Sequence, residues 1–217
     1  MSGFILSCFF IGHSSLAFDS VIFIMRNVFF GWIVRIFHVN GVTFIFILFY
    51  LHIWKGMVCY SFRVGREFTW SVGFVIFFLS SLVGFTGYSL VWGQMSYWAL
   101  TVITNLVTAI PIIGYDILEW VWSNSVIDTF TLRRFFSIHF ICPFIILVCI
   151  ILHMLLIHRN VTRHFIDVYV HYSDKVMFSV FMLKDCCILV VVIFVMVVIG
   201  FSIHSNMFIH PDNFIGA

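Results

Sequence analysis

The sequence predicts an all-α membrane protein, a transmembrane helical bundle of four full spans preceded by a partial N-terminal helix. Of its 217 residues, 63% are hydrophobic and only 9% are charged, whereas soluble domains carry about a quarter charged residues. Apolar stretches also recur at the length of roughly 20 residues that crosses a bilayer. The net charge of +2 gives no support for nucleic-acid binding. We expect a single membrane domain over residues 1–217, in contact with lipid.

The spans and their connections can be placed along the chain. Residues 1–12 are apolar but too short to cross a bilayer, so they predict the end of a truncated helix. Full spans are predicted at residues 29–58, 70–91, 131–158 and 181–204. Residues 92–128, between the second and third full spans, mix acidic side chains with several tryptophans. This composition is typical of short helices that lie on the membrane surface.

Four histidines form two pairs with one spacing, His38 with His52 and His139 with His153, each pair within an apolar stretch. Fourteen residues of α-helix rise about 21 Å and end about 40° short of four full turns. Each pair therefore projects from nearly one face of its helix, near opposite sides of a hydrocarbon layer about 30 Å thick. Two such helices side by side form two bis-imidazole sites stacked across the membrane, and their natural occupants are two b-type haems.

A single buried histidine is most often a hydrogen-bonded structural residue, but ionisable residues inside spans usually mark a functional site. The repeat of one spacing in two separate segments favours the functional interpretation for the set. No Cys-x-x-Cys-His motif occurs, so the haems are expected to be held non-covalently.

The direction of the two histidine helices follows from the loop between them. If residues 92–128 return to the side that they leave, the helices run parallel, His38 faces His139 and His52 faces His153. Seven of the eleven lysines and arginines lie on the side beyond His52 and His153. The positive-inside rule makes that side the matrix or cytoplasm.

Three cations are candidates to pair with haem propionates. Arg35 precedes His38 by three residues and Lys55 follows His52 by three, so each lies on the face of its histidine, one turn nearer the membrane surface. Arg134, close to His139 in sequence, is the third candidate. The alternative is that these side chains are ordinary interfacial cations that extend toward lipid headgroups.

Two glycines repeat the spacing of the histidines. Gly73 and Gly87 lie fourteen residues apart on the predicted span between the two histidine helices. A porphyrin inside a bundle needs helices without bulky side chains against it, so each glycine is expected to flank one haem. Small residues also serve plain helix–helix contact in membranes, which remains the alternative.

Several motifs point to one family. They are Gly31-Trp32-Ile33-Val34-Arg35 before the first histidine, the block Trp92-Gly93-Gln94-Met95-Ser96-Tyr97-Trp98, and Pro211-Asp212-Asn213. With these motifs the chain closely resembles mitochondrial cytochrome b, the quinone-reacting core of quinol:cytochrome c oxidoreductase (complex III). The resemblance covers nearly the whole chain, and its tryptophan-rich block is the most specific part.

The resemblance implies a subunit of quinol–cytochrome-c reductase in the mitochondrial inner membrane. Its partners would be cytochrome c1-type and Rieske iron–sulfur subunits, in a homodimeric complex. It implies a proton-translocating Q cycle, with ubiquinol oxidised near the positive side and ubiquinone reduced near the matrix. The pair His38/His139 would ligate the iron of the low-potential haem and His52/His153 that of the high-potential haem, and Gly3 would match a haem-flanking glycine.

The resemblance also implies two quinone sites. Quinone reduction would use His158, Lys184 and Asp185, since an imidazole and a carboxylate near the negative surface can deliver the protons that a quinone takes up. The quinol-oxidation pocket would include Phe85, Tyr88 and Ala99.

The end of the chain departs from the family pattern. The sequence stops at Ala217, before the Pro-Glu-Trp-Tyr motif that supplies a glutamate to quinol oxidation in this family. We therefore expect this chain to form only part of the oxidation pocket. The remaining C-terminal part of cytochrome b would be either a separate polypeptide or the continuation of this one.

Two other functions remain as alternatives. A dihaem membrane anchor of another quinone-linked dehydrogenase would need the histidines but not the tryptophan-rich surface segment. A haem-free structural or channel-like bundle would lack a b-type absorption band that dithionite can reduce.

Ala99 leads to a prediction about inhibitors. In this family a methyl group at the position of Ala99, where glycine is usual, obstructs compounds of the strobilurin type. We predict that quinol oxidation in native membranes is naturally resistant to strobilurins. Inhibition of turnover at micromolar strobilurin would contradict this prediction.

Overall fold

The structure is a computed structural model that describes residues 1–62, 65–159, 178–202 and 209–217. Within these ranges the chain is helical and no strand occurs, so the predicted all-α fold is confirmed. The α-helices, in chain order, are α1 (Ser2–Ser7), α2 (Ala17–Arg26), α3 (Gly31–Val58), α4 (Glu67–Ser89), α5 (Gln94–Asn105), α6 (Gly114–Trp122), α7 (Thr129–Arg159) and α8 (Phe178–Ser202). A short 3₁₀ helix at Leu106–Ala109 lies between α5 and α6, and another at Pro211–Phe214 comes after α8.

Three helices among the described residues are long and apolar enough to cross a membrane, namely α3, α4 and α7. Their large apolar side chains are exposed on most sides, because in a bilayer these side chains face lipid. A helix is the form that such segments must take, since hydrocarbon offers no partner to an open backbone N–H or C=O group. The fourth predicted span falls on α8, which is 25 residues long.

The helices pack as two groups that share the histidine sites. The most extensive contact joins α4 to α7, while α3 packs against α1, α2 and α8. The turn from α2 into α3 is tight, because a side chain at Gly31 would overlap the Ile24 carbonyl. Phe30, the residue before it, adopts a left-handed conformation with φ 55°. Only a glycine at position 31 permits so close an approach of the two helices.

The surface segment between α4 and α7 forms the short helices α5 and α6, as the composition of residues 92–128 predicts. Beneath it lies a buried cluster made of Ala17, Leu90, Trp92, Leu100, Leu132 and Phe135. The indole N–H of Trp122 donates to the Thr104 hydroxyl at 2.8 Å, and Thr131 donates to the Trp122 carbonyl at 2.7 Å. These hydrogen bonds connect α5, α6 and the start of α7.

The C-terminal segment 209–217 packs against the start of α5. The side-chain oxygen of Asn213, a residue only 3% exposed, accepts a hydrogen bond from the backbone N–H of Ser96 at 3.1 Å. Ser96 lies in the first turn of α5, whose N–H groups have no partner within the helix. A residue 117 positions away therefore caps this helix. Gly93 makes the contact possible, because a Cβ there would lie 2.8 Å from the Asn213 carbonyl oxygen.

Replacing Asn213 by alanine tests this cap. The Asn213→Ala change leaves the buried N–H of Ser96 without its acceptor, which costs about 1–3 kcal/mol. We expect a lower thermal unfolding midpoint for the complex in detergent. The matched control is Asn124→Ala, because among the described residues the exposed Asn124 side chain accepts a hydrogen bond only from the backbone N–H of its neighbour Ser125. Equal midpoints for the two variants would contradict the role of Asn213.

Candidate bis-histidine sites

The structure brings both predicted histidine pairs together. The ring centroids of His38 and His139 are 6.1 Å apart, and those of His52 and His153 are 6.3 Å apart. Each histidine near the start of α3 thus faces one near the start of α7, and the later histidines face each other. The two helices therefore run parallel.

The separation within each pair suits a shared metal ion. Two imidazoles whose nitrogens each lie about 2 Å from one ion have ring centroids about 6 Å apart. Among the described residues, no group of three or more His, Cys, Asp or Glu side chains could hold a metal. Two facing imidazoles are a donor set that fits the iron of a haem.

Each pair opens into its own cavity. A cavity of about 510 Å³ surrounds His38 and His139, and one of about 430 Å³ surrounds His52 and His153. Both volumes lie in the range of cofactor pockets, roughly 300–1,000 Å³. The predicted cation Arg35 lines the first cavity and Lys55 lines the second.

Three glycines lie against the histidine rings. A Cβ at Gly3 would be 3.2 Å from Cε1 of His38, and one at Gly73 would be 3.1 Å from Cε1 of His153. A Cβ at Gly87 would overlap the ring of His139. In this structure the glycines make room for the imidazoles, and the expectation that they also flank the haems stays a prediction.

Gly87 also permits a hydrogen bond to the helix backbone. Nδ1 of His139 lies 2.9 Å from the carbonyl oxygen of Val83, one turn before Gly87 on α4. A side chain at position 87 would push the ring away from this carbonyl. Because the bond occupies Nδ1, Nε2 is the nitrogen of His139 that would bind a metal ion.

The second pair is held differently. Nδ1 of His153 is shielded from solvent and has no hydrogen bond of normal geometry among the described residues. The backbone of Thr69, one turn before Gly73, and the ring of His52 both interact with this ring. At both sites a glycine of α4 lies against the ring, and the backbone of the residue four positions earlier interacts with that ring. The contact is a hydrogen bond of 2.9 Å from Val83 to His139 at the first site, whereas Nδ1 of His153 has no such bond.

Arg134 takes a partner outside the cavity. Its guanidinium donates to the backbone carbonyl of Trp120 and lies 5.6 Å from the centroid of the Trp120 ring. The first cavity is lined by Arg35 and not by Arg134 in the part of the chain that the structure describes. The contact anchors α7 to α6, and pairing of Arg134 with a propionate stays a prediction.

The residues predicted for the two quinone sites lie on α4, α5, α7 and α8. Phe85 packs edge-on against Phe135 with ring centroids 5.8 Å apart, and Tyr88 is 39% exposed near the end of α4. Ala99 lies on α5. Lys184 and Asp185 lie exposed on α8, whereas the side chain of His158 is outside the described residues. Their roles stay predictions.

Sequence reasoning missed several groups around the sites. The Val83 carbonyl contacts His139 and the Ser2 hydroxyl contacts His38, and the second cavity is also lined by Ser61, Arg66 and Trp70. A signal existed for two of them. Val83 lies one helical turn before Gly87, and Ser2 directly precedes Gly3; both glycines were predicted from the sequence to lie beside a haem.

Comparisons with known proteins agree on one family. A family profile described as "Cytochrome b/b6/petB" matches residues 1–161. Cytochrome b of Phytophthora megasperma is 40% identical over 217 residues, covering 100% of this chain and 56% of the relative. Cytochrome b of Dictyostelium discoideum is 39% identical over 218 residues, with 100% and 56% covered, and that of Arabidopsis thaliana is 40% identical over 221 residues, with 100% and 55% covered. The chain thus spans about half the length of these relatives.

A solved structure shows the same fold. A chain of the "Hyperthermophilic respiratory Complex III" matches with a TM-score of 0.88 at 28% sequence identity, covering 100% of this chain and 59% of that chain. Fold and site together define a multi-pass integral membrane protein with two stacked bis-imidazole sites. The chain belongs to the cytochrome b/b6 family. The resemblance noted from the sequence motifs is confirmed.

Proposed function

We propose that this chain is the haem-carrying part of a respiratory electron-transfer cytochrome b. One b-type haem would be held between His38 and His139, and another between His52 and His153. The observation that carries the proposal is the spacing of the two ring pairs, 6.1 and 6.3 Å between centroids, each beside its own cavity. When bound, each haem would supply reversible one-electron chemistry.

The residues of this chain supply ligation, burial and charge. Apolar side chains line most of both cavities, and this lining would exclude water. Arg35 and Lys55 would offset the negative charge of the propionates at the cavity edges. The lysine acts only as a point charge, whereas the arginine can bind a carboxylate through two parallel hydrogen bonds.

The spacing along the helices sets the distance that an electron would cross between the two sites. Fourteen residues separate the two sites on both α3 and α7, which is about 21 Å along the helix axis. That distance is about two thirds of the hydrocarbon thickness. An electron passing from the His38/His139 site to the His52/His153 site would cross much of the membrane within this chain.

The proposal extends to quinone chemistry in the mitochondrial inner membrane. The matrix side would be the side of His52 and His153, where most of the cations lie. Ubiquinone would be reduced there with protons supplied by His158 and Asp185, and with Lys184 nearby. The full enzyme would be a homodimeric quinol:cytochrome c oxidoreductase with cytochrome c1-type and Rieske subunits. Family membership and the complex III neighbour support this assignment.

Quinol oxidation would take place on the opposite side of the membrane. The chain would contribute Phe85, Tyr88 and Ala99, from the end of α4 and from α5, to that pocket. The C-terminal part of cytochrome b would complete it, and we propose that residues 1–217 form one membrane domain of the whole.

Haem content tests the proposal. We expect the protein from native membranes to contain two b-type haems per chain, measured as the pyridine haemochrome. His52→Leu removes one axial ligand, so we expect one haem per chain in that variant. His13→Leu is the control, because His13 bonds to Ser15 outside both cavities, and it should retain two. A protein without any haem would contradict the proposal and favour a structural bundle.

Replacing Gly87 provides a second test, which concerns the close contact between α4 and the His139 ring. In Gly87→Ala the added methyl group overlaps the His139 ring, so that the ring must move and lose the Val83 carbonyl. We expect loss of one of the two haems, or a changed reduced-minus-oxidised spectrum for it.

The matched control is Gly41→Ala on α3, where the new Cβ would be 3.5 Å from the end of the flexible Met196 side chain. That distance is a normal van der Waals contact, so this variant should keep both haems and the original spectrum. Two haems with an unchanged spectrum in Gly87→Ala would contradict the role of Gly87.

A further inference from the structure

We infer that the hydroxyl of Ser2 is a positioning group for His38, and that it lowers the reduction potential of the haem bound between His38 and His139. This role presupposes the haem of the proposed function. It concerns a side chain on α1, a helix that contributes no axial ligand to either site.

Two adjacent residues of α1 contact the His38 ring. The Oγ atom of Ser2 lies 3.2 Å from Nδ1, and a Cβ at Gly3 would lie 3.2 Å from Cε1. One residue thus offers a hydrogen-bonding oxygen, and the next leaves the space that the ring occupies. The contact between α1 and α3 is one of the larger helix contacts among the described residues, so the serine is held against α3 by packing.

The direction of this hydrogen bond follows from the chemistry of the ring. When Nε2 binds iron, Nδ1 carries the remaining proton and can only donate. The Ser2 oxygen must then accept. An acceptor at the distant nitrogen makes the imidazole a stronger electron donor to the metal. Stronger donation stabilises the more positive, oxidised iron, and the reduction potential falls.

The two histidine pairs differ in this respect. At the first pair both Nδ1 atoms have acceptors, the Ser2 hydroxyl for His38 and the Val83 carbonyl at 2.9 Å for His139. At the second pair Nδ1 of His153 has no hydrogen bond of normal geometry within the described residues. Ser2 is the acceptor at the first pair that a side-chain substitution can remove, because the Val83 acceptor is a backbone carbonyl.

The experiment is a redox titration of the b-type absorption bands, with the complex in its native membranes and the two haems resolved. In Ser2→Ala we expect the equilibrium constant for reduction of one haem to rise about threefold to tenfold, where tenfold corresponds to 59 mV for one electron. The other haem should keep its potential. Ser2→Thr, which restores a hydroxyl, should return the first haem close to its original value.

The matched control is Ser7→Ala on the same helix. Ser7 also lines the first cavity, but its hydroxyl donates to the Phe4 carbonyl at 2.7 Å and not to a histidine. The electron paramagnetic resonance spectrum of the oxidised haem provides an independent reading, since it responds to the orientation of the axial rings. We expect a changed signal in Ser2→Ala and the original signal in Ser7→Ala.

The outcomes separate this inference from the proposed function. An unchanged potential in Ser2→Ala, or an equal shift in Ser7→Ala or in Ser2→Thr, overturns the role of the Ser2 hydroxyl. If Ser2→Ala does not retain its haem, Ser2→Cys takes its place, because a thiol is a weaker acceptor and should shift the potential in the same direction. An unsubstituted protein that holds no haem overturns the proposed function instead.

Discussion

The pairing of imidazoles across α3 and α7 is the constraint on which the remaining structure depends. A histidine inside hydrocarbon has no water to satisfy its ring nitrogens, and the backbone of its own helix is fully engaged. Each ring therefore needs partners from another helix. Ser2 on α1 and the Val83 carbonyl on α4 are such partners, and the two facing pairs, with centroids 6.1 and 6.3 Å apart, form only if α3 and α7 run parallel. Because α4 returns the chain to the side where α3 begins, the connection through α5 and α6 begins and ends on that one side before α7 starts.

Close approach of helices, more than burial of apolar area, holds the ligand rings in place. Helices in a bilayer gain little from hiding apolar side chains, because lipid is equally apolar, so packing and polar contacts decide how they associate. Gly87 permits His139 to reach a backbone carbonyl of α4, and Gly3 permits α1 to approach His38. The extensive contact between α4 and α7 therefore includes Gly87, which has no side chain, and the hydrogen bond between His139 and the Val83 carbonyl.

A second organising contact lies at the membrane surface, away from the rings. Asn213 caps α5 from the far end of the chain, and Arg134 joins α7 to the backbone and ring of Trp120 on α6. Both contacts satisfy groups that a short surface helix cannot satisfy by itself. They hold α5, which carries Ala99, against the bundle, so the proposed oxidation pocket depends on a segment remote from it in sequence.

The sequence by itself determined the helical spans, the surface segment, both histidine pairs and the glycines beside them. These features follow from local rules, namely the rise and turn of a helix and the cost of placing polar groups in hydrocarbon. Only the tertiary structure decided the Nδ1 partners of His38 and His139, the contact of Arg134 with Trp120 and the cap from Asn213. Those contacts join residues 36 positions apart for Ser2 and His38, 56 for Val83 and His139, and 117 for Ser96 and Asn213. No helical periodicity extends across such separations, because each depends on how separate segments pack.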